Sequence, residues 1–196
     1  MGAISCGSYT QKSSISRRNR CRDAGSRAMT QQFFGKYRGV VTDNTDPLMI
    51  GRIRARVPYV MGDQESGWAL PNAPFGGNGM GFFAVPDTGA AVWIEFEHGD
   101  PDYPIWSGAW WGSVTEVPPT LLTPPPPSAK VMLRTAGGHT VLIDDTPGVG
   151  GITLETSTGQ KIVLNALGIE INNGSGASIK LTGPQTSINN GGLDVT

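Results

Sequence analysis

Ala90-Ala91-Val92-Trp93-Ile94-Glu95-Phe96-Glu97-His98-Gly99-Asp100-Pro101-Asp102-Tyr103-Pro104-Ile105-Trp106 reads as a strand, a tight turn and the start of a returning strand. Val92, Trp93, Ile94 and Phe96 make Ala90–Glu97 the strongest strand signal in the chain. Gly99, Asp100 and Pro101 supply turn chemistry, and Tyr103–Trp111 continues the return. Working outward, short apolar alternations between turn signals fill the whole of Tyr37–Gly112, which is the pattern of a small β-barrel.

Upstream, Lys36–Asp43 is expected to form the first strand. Asp43-Asn44-Thr45-Asp46-Pro47 is dense turn chemistry, because Asn and Asp tolerate left-handed φ and Pro fixes φ. Leu48–Val57 is expected as the second strand. Within it Arg52-Ile53-Arg54-Ala55-Arg56-Val57 alternates polar and apolar, so three arginines share one face. Such a face could meet phosphates or an acidic partner. A solvated sheet face paired to Glu95 and Glu97 is the preferred reading. Met61–Ser66 reads as a polar loop, and Gly67–Leu70 as a third strand stopped by Pro71. Asn72–Gly81 reads as a long glycine-rich loop, and Gly81-Phe82-Phe83 as the start of a further strand. The run Gly76-Gly77-Asn78-Gly79-Met80-Gly81 lacks the following Gly-Lys-Ser/Thr and helix that a phosphate loop needs. Five or six short strands in so little chain suit an oligonucleotide/oligosaccharide-binding (OB) barrel.

Downstream, residues 114–129 carry Pro118, Pro119 and Pro124–Pro127 and read as a stiff polyproline-like spacer. From Lys130 the pattern becomes a repeat of apolar pairs two residues apart: Val131/Leu133, Val141/Ile143, Ile152/Leu154, Ile162/Leu164, Ile169/Ile171 and Ile179/Leu181, with Ile188 following. A short period of this kind marks a β-solenoid or β-helix. Each strand offers only about two inward residues, so one copy cannot seal a core. Several copies around a shared axis can, and trimeric closure leaves no free strand edge along the shaft.

The totals agree with an all-β chain. Its 28 glycines and 15 prolines are many, and charged residues are only 16%. The net charge of −1 hides an asymmetry. Residues 1–30 carry six basic and one acidic side chain, against nine basic and fifteen acidic in the remaining 166. A mildly acidic body argues against nucleic-acid binding there. Cys6 and Cys21 lie in the arm, where free thiols are expected, so no disulfide holds the body together. No stretch is long and apolar enough to span a membrane. Residues 1–28 lack the apolar core of a secretory signal, and Met29 is a candidate second start. They are expected to be dispensable for folding.

Three segments together resemble the central spike family of contractile injection machines, which includes phage baseplate assembly protein V and the valine–glycine-repeat spikes of type VI secretion. They are Gly39–Pro47 with Ile50–Pro58, Pro86–Gly108, and Gly138-His139-Thr140-Val141-Leu142-Ile143-Asp144-Asp145-Thr146. The resemblance implies an all-β chain: an N-terminal OB barrel followed by a trimeric, intertwined β-helix or β-prism. The divisions expected on that basis are an arm at 1–32, disordered or partner-binding, the barrel at 33–113, a proline-rich linker at 114–129 and the spike at 130–196. It further implies a homotrimer beneath a baseplate hub that plugs the tail tube and is driven through the target envelope on contraction. The location implied is a virion tail baseplate or phage-derived injection particle, assembled in the bacterial cytoplasm. Some members carry a lysozyme domain between barrel and helix, where this chain has the spacer. Some short phage spikes end in an iron-binding His-x-His. The two histidines here are His98 and His139, and the sequence closes Gly-Gly-Leu-Asp-Val-Thr, so a separate tip protein is expected to cap the shaft.

No catalytic, cofactor-binding or metal-binding residue is expected. Glu97, His98, Asp100 and Asp102 crowd one turn, and His139 neighbours Asp144 and Asp145, but sequence adjacency does not make ligands converge. Trp68, Trp93, Trp106, Trp110 and Trp111 could stack bases or sugars. Packing in the core and between subunits is preferred. The alternative function is an OB module for single-stranded nucleic acid or glycan using Arg52, Arg54, Arg56 and the tryptophans. An envelope-degrading enzyme is the remaining rival, and the sequence offers no residues for it.

Overall fold

A computed structural model describes residues 31–123, 129–190 and 192–195. The arm with Cys6 and Cys21 and the run Pro124–Pro127 lie outside the described residues.

The barrel is built from β1 (Tyr37–Asp43), β2 (Arg54–Arg56), β3 (Leu70–Pro71), a small hairpin of β4 (Gly76–Gly77) and β5 (Met80–Gly81), then β6 (Ala91–Phe96) and β7 (Pro104–Ala109). Its sheet order is β2-β1-β6-β7-β3, antiparallel except that β3 runs parallel to β7. The bridge Ile53–Ala69 joins the residues leading into the two outer strands, β2 and β3, and closes the barrel, while Arg56–Glu65 ties β2 to the loop after the following helical turn. Alternation decides the interior. On β6, Val92, Ile94 and Phe96 point in, while Ile53, Ala55 and Val57 do so around β2. With Val41 and Ala69 they form the core.

Strand directions give the barrel two distinct ends. Tyr37 pairs with Ile94 and Val40 with Ala91, so the end of β1 lies beside the start of β6. Val92 pairs with Ala109, which brings the end of β7 to that same side. The 44–52 turn, the 72–90 loop and the chain's exit therefore share one end. The entry at Phe33, the helical turn α1 (Pro58–Met61) and the 97–103 turn share the other.

Several expected barrel elements are shorter than their sequence signals. Strand Leu48–Val57 shrinks to Arg54–Arg56 because Leu48–Arg52 wraps around the Asp46 carboxylate. Oδ1 accepts from Leu48 N at 3.0 Å, and Oδ2 from Ile50 N at 3.0 Å and Arg52 N at 3.2 Å. Those amides are satisfied locally and need no ladder. Met61–Ser66 is preceded by α1, with Pro58 preset for a first helical turn. In 67–71 only Leu70 and Pro71 pair as a strand, and of Phe82-Phe83, which lie outside any strand, Phe82 donates its N–H to Phe75 O at 3.1 Å. The glycine-rich loop folds back on itself as the β4–β5 hairpin. The spacer is not uniformly extended, since Val114–Glu116 and Pro119–Leu122 are helical turns.

The tail is a meander of eight antiparallel strands in strict sequence order: β8 (Lys130–Arg134), β9 (Thr140–Asp144), β10 (Gly151–Glu155), β11 (Lys161–Asn165), β12 (Gly168–Asn172), β13 (Ser178–Thr182), β14 (Gln185–Ile188) and β15 (Leu193–Val195). Each apolar pair of the repeat occupies the second and fourth positions of a five-residue strand, so both members face the same way. One chain thus makes a wall with one face apolar along its length, while Met132, Leu142 and Val163 lie among polar residues on the other.

Candidate functional site

Register turns the apolar pairs into two continuous rows across the sheet. In one, Val131, Ile143, Ile152, Leu164, Ile169 and Leu181 lie opposite one another in turn. In the other, Leu133, Val141, Leu154, Ile162, Ile171 and Ile179 do the same. Ile188 extends the second row through its pairing with Ile179. Side chains in the middle of an eight-stranded sheet would ordinarily be buried by a second layer. Here Ile162, Leu164, Ile169 and Ile171 remain 37–45% exposed, and Val131 reaches 66%. A contiguous aliphatic surface of this extent marks a contact with another molecule. The opposite face is mixed: it carries ion pairs, Glu155–Lys161 at 3.2 Å and Glu170–Lys180 at 3.9 Å, with Thr153 and Asn172, and also Met132, Leu142 and Val163.

The barrel's most closely tied polar group is Asp46. Besides the three amides, its Oδ1 accepts Arg52 Nε at 3.0 Å and Nη2 at 2.6 Å. The Arg52 guanidinium first, and then the amides, hold its carboxyl below the usual carboxylate range. In the unfolded chain the group titrates at its ordinary value. The stabilisation it gives is therefore complete above that value and lost as pH falls through it toward the folded one. Barrel melting should consequently move to lower temperature when pH drops below ~4. Asp46→Asn should lower the neutral-pH midpoint and flatten that pH dependence. Differential scanning calorimetry from pH 7 down to 3 checks both. In the sequence Asp46 reads only as a turn residue. The signal that identifies it is Asp-Pro followed by Arg six positions after the Asp.

Other singled-out residues fall as follows. His98 adopts φ 53° in the 97–103 turn, exposed, with Nε2 3.9 Å from Glu97 Oε1. Asp100 accepts Asp102 N at 3.0 Å, so these groups shape the turn rather than converge. His139 lies in the turn before β9 and accepts Ser157 N at 3.4 Å, whereas Asp144 and Asp145 lie at the far end of β9. The Thr146 hydroxyl, then its amide, draw the Asp144 carboxyl below its ordinary range. Among the described residues, no group of three or more His, Cys, Asp or Glu could hold a metal ion.

The expected pairing of the arginines with Glu95 and Glu97 is not what forms. Strand β1 separates β2 from β6. Arg52 pairs with Asp46, Arg54 with Glu65 at 3.1 Å, and Glu95 with Lys36. Trp68 lies beneath both arginines, with ring centroid distances of 5.5 Å to Arg52 and 4.9 Å to Arg54. Trp106 donates Nε1 to Gly51 O at 3.0 Å, and Trp93 packs 6.0 Å from Trp110. Trp111 is exposed.

Two family models match these two regions. "Type VI secretion system/phage-baseplate injector OB domain" matches residues 37–111, and "Phage baseplate V C-terminal trimerisation domain" matches residues 130–194. Among curated relatives, "Actin cross-linking toxin VgrG1" of Vibrio cholerae is 35% identical over 89 residues, 43% of this chain and 8% of that protein. "Type VI secretion system spike protein VgrG4b" of Pseudomonas aeruginosa is 33% identical over 76 residues, 39% of this chain and 9% of that protein. The matched segment spans less than a tenth of either relative.

Proposed function

The chain belongs to the structural spike family of phage baseplates and type VI injectors, and from that premise we propose that it is a non-enzymatic, homotrimeric central spike that plugs a contractile tail tube and pierces the target envelope when the sheath contracts. The observation that carries this reading is the uncovered pair of aliphatic rows across β8–β14. Three such walls, apolar faces inward, supply one another's missing layer. The mechanism is mechanical. A shaft whose strands are all hydrogen-bonded and whose interior is shared among three chains has no single-chain route to unfolding under load. The division proposed is barrel at 33–113, linker at 114–129 and shaft at 130–196, with no catalytic, cofactor or metal residue.

Connectivity suggests how the parts meet. The barrel's exit end leads to the shaft, which leaves the entry end for the hub. Exposed Phe34, Tyr59 and Tyr103 near that end offer apolar contact. A separate tip protein would cap the shaft. The proposed setting is a tail particle assembled in the bacterial cytoplasm. The nucleic-acid or glycan module is disfavoured, because Arg52 and Arg54 are engaged by carboxylates and cover the Trp68 ring.

Size-exclusion chromatography with light scattering tests the proposal. A mass of three chains is expected, and a clean monomer at micromolar concentration would remove the shaft and its mechanism.

A further inference from the structure

Residues 114–129 read as a spacer in the sequence, yet side chains fix the described part of that segment at both ends. On the barrel side, Gly112 donates its amide to Glu116 Oε2 at 2.7 Å, across the helical turn Val114–Glu116. On the shaft side, Lys130 reaches back to the turn α2 (Pro119–Leu122). Its Nζ donates to Thr120 O at 2.9 Å, to Thr123 Oγ1 at 2.8 Å and to Thr123 O at 3.3 Å. Asp144 Oδ2, on the neighbouring strand β9, lies 3.9 Å from the same atom. Only Val117 and Pro118 stand between the two helical turns. The last carbonyls of a helical turn have no partner within it, and a cation can satisfy several of them at once. An ammonium carries three donors, and here three linker oxygens and one carboxylate surround it. The Lys130 side chain is only 5% exposed. A lysine is buried that far only where its charge is matched.

Position gives this cluster its meaning. Strand β8 is at the edge of the shaft sheet, and Lys130 is its first residue. Force passing along the chain between barrel and shaft enters the sheet there, at a strand held by one ladder. The ladder is reinforced at that point. Ala129 O accepts Asp145 N at 2.8 Å, one residue beyond the strand, and Lys130 joins the linker turn to Asp144 of β9. Lys130 shares its face of β8 with Met132, opposite the aliphatic rows, so the cluster leaves the rows uncovered. We infer that Lys130 is a clasp that makes α2 a folded part of the shaft, so that barrel and shaft turn and bear load as one body and not through a slack tether. The clasp lies within one chain. Its use as a load path rests on the spike reading above.

Thermolysin cleaves before leucine, so the Thr120–Leu121 bond reports whether α2 is clasped. The full chain and its variants are digested under native conditions, with products identified by mass. Lys130→Gln is uncharged and shorter. It should raise cleavage at that bond about tenfold or more, because cleavage follows the population of the open turn. Lys161→Gln loses only the partly exposed pair with Glu155 and should leave the rate unchanged. A dye on Tyr103→Cys, with Cys6→Ser and Cys21→Ser, gives a second readout. Tyr103 is exposed, on the barrel. Time-resolved anisotropy should show the barrel tumbling with the whole particle in the parent, and a faster component should appear in Lys130→Gln. Light scattering is run on the same samples. A trimer whose parent chain is cleaved as fast as Lys130→Gln, or already shows the fast component, overturns the inference and leaves the spike reading standing. A monomer that keeps the Lys130 effect fails the spike reading and removes the load path, while the clasp itself stands. If Lys130→Gln does not fold, Thr123→Val decides. It removes one acceptor on the linker side without touching the shaft ladder, and should raise cleavage about threefold or more. An unchanged rate there counts against the clasp.

Discussion

Ile162→Asp is expected to abolish trimerisation. Ile162 sits mid-sheet in the second aliphatic row, opposite Leu154 on one side and Ile171 on the other, and is 37% exposed in the single chain. In the proposed trimer its remaining surface closes against two other walls. The substitution removes roughly 1–2 kcal/mol of apolar burial per chain and sets a carboxylate in an apolar contact for several more. Across three chains the penalty is on the order of 10 kcal/mol, about a 10⁷-fold loss in the association constant. Light scattering should show monomer or aggregate where the parent gives trimer. Leu167→Asp, in the two-residue turn between β11 and β12 and 76% exposed, should leave the trimer intact. Equal behaviour of the two variants would mean that the aliphatic rows are not the interface.

The second large effect is expected from Gly168→Ala. Gly168 opens β12 at φ +144°, and a Cβ there would lie 1.9 Å from the carbonyl oxygen of Leu181 on β13. Backbone rather than a flexible side chain blocks it, so the start of β12 must move away and lose pairing. The unfavourable φ and the broken ladder together cost about 3–5 kcal/mol per chain. Chemical denaturation followed by circular dichroism should show the shaft transition moving to much lower denaturant. Gly148→Ala is the comparison, since its φ is +81° but nothing lies within 4 Å. It should cost only about 1 kcal/mol for the left-handed backbone. Gly151 has the same relation to Leu164 O, at 2.1 Å, so Gly-Ile-x-Leu and Gly-Ile-x-Ile are one structural unit in two copies.

Much of this architecture is legible in the sequence because both regions depend on alternation. Arg52–Val57 and Ala91–Phe96 each declare an inward and an outward face, and the structure buries Ile53, Ala55, Val57, Val92, Ile94 and Phe96 as that pattern requires. The shaft repeat is legible for the same reason, and the spacing between pairs follows turn length. Two residues separate β11 from β12, while five separate β12 from β13. What alternation cannot register is a side chain that replaces a ladder. Asp46 takes up the amides of Leu48, Ile50 and Arg52, so a stretch with strand-like composition becomes a turn. Nor can it assign charge partners. Glu95 and the β2 arginines look complementary in sequence but lie on strands that β1 holds apart. The candidate interface is readable as a count of apolar positions. Its extent is set by register, which joins the pairs into rows.

The strict sequence order of the shaft strands bears on how the protein is made. Every ladder in β8–β15 joins neighbours in the chain, so loop closure is short at each step and a wall can pair as it leaves the ribosome. The wall then waits, aliphatic rows uncovered, for two others. Its slow step is an encounter between chains, whose rate rises with their concentration. Synthesis of several copies from one message, close together, shortens that wait and with it the interval in which bare rows can find the wrong partner.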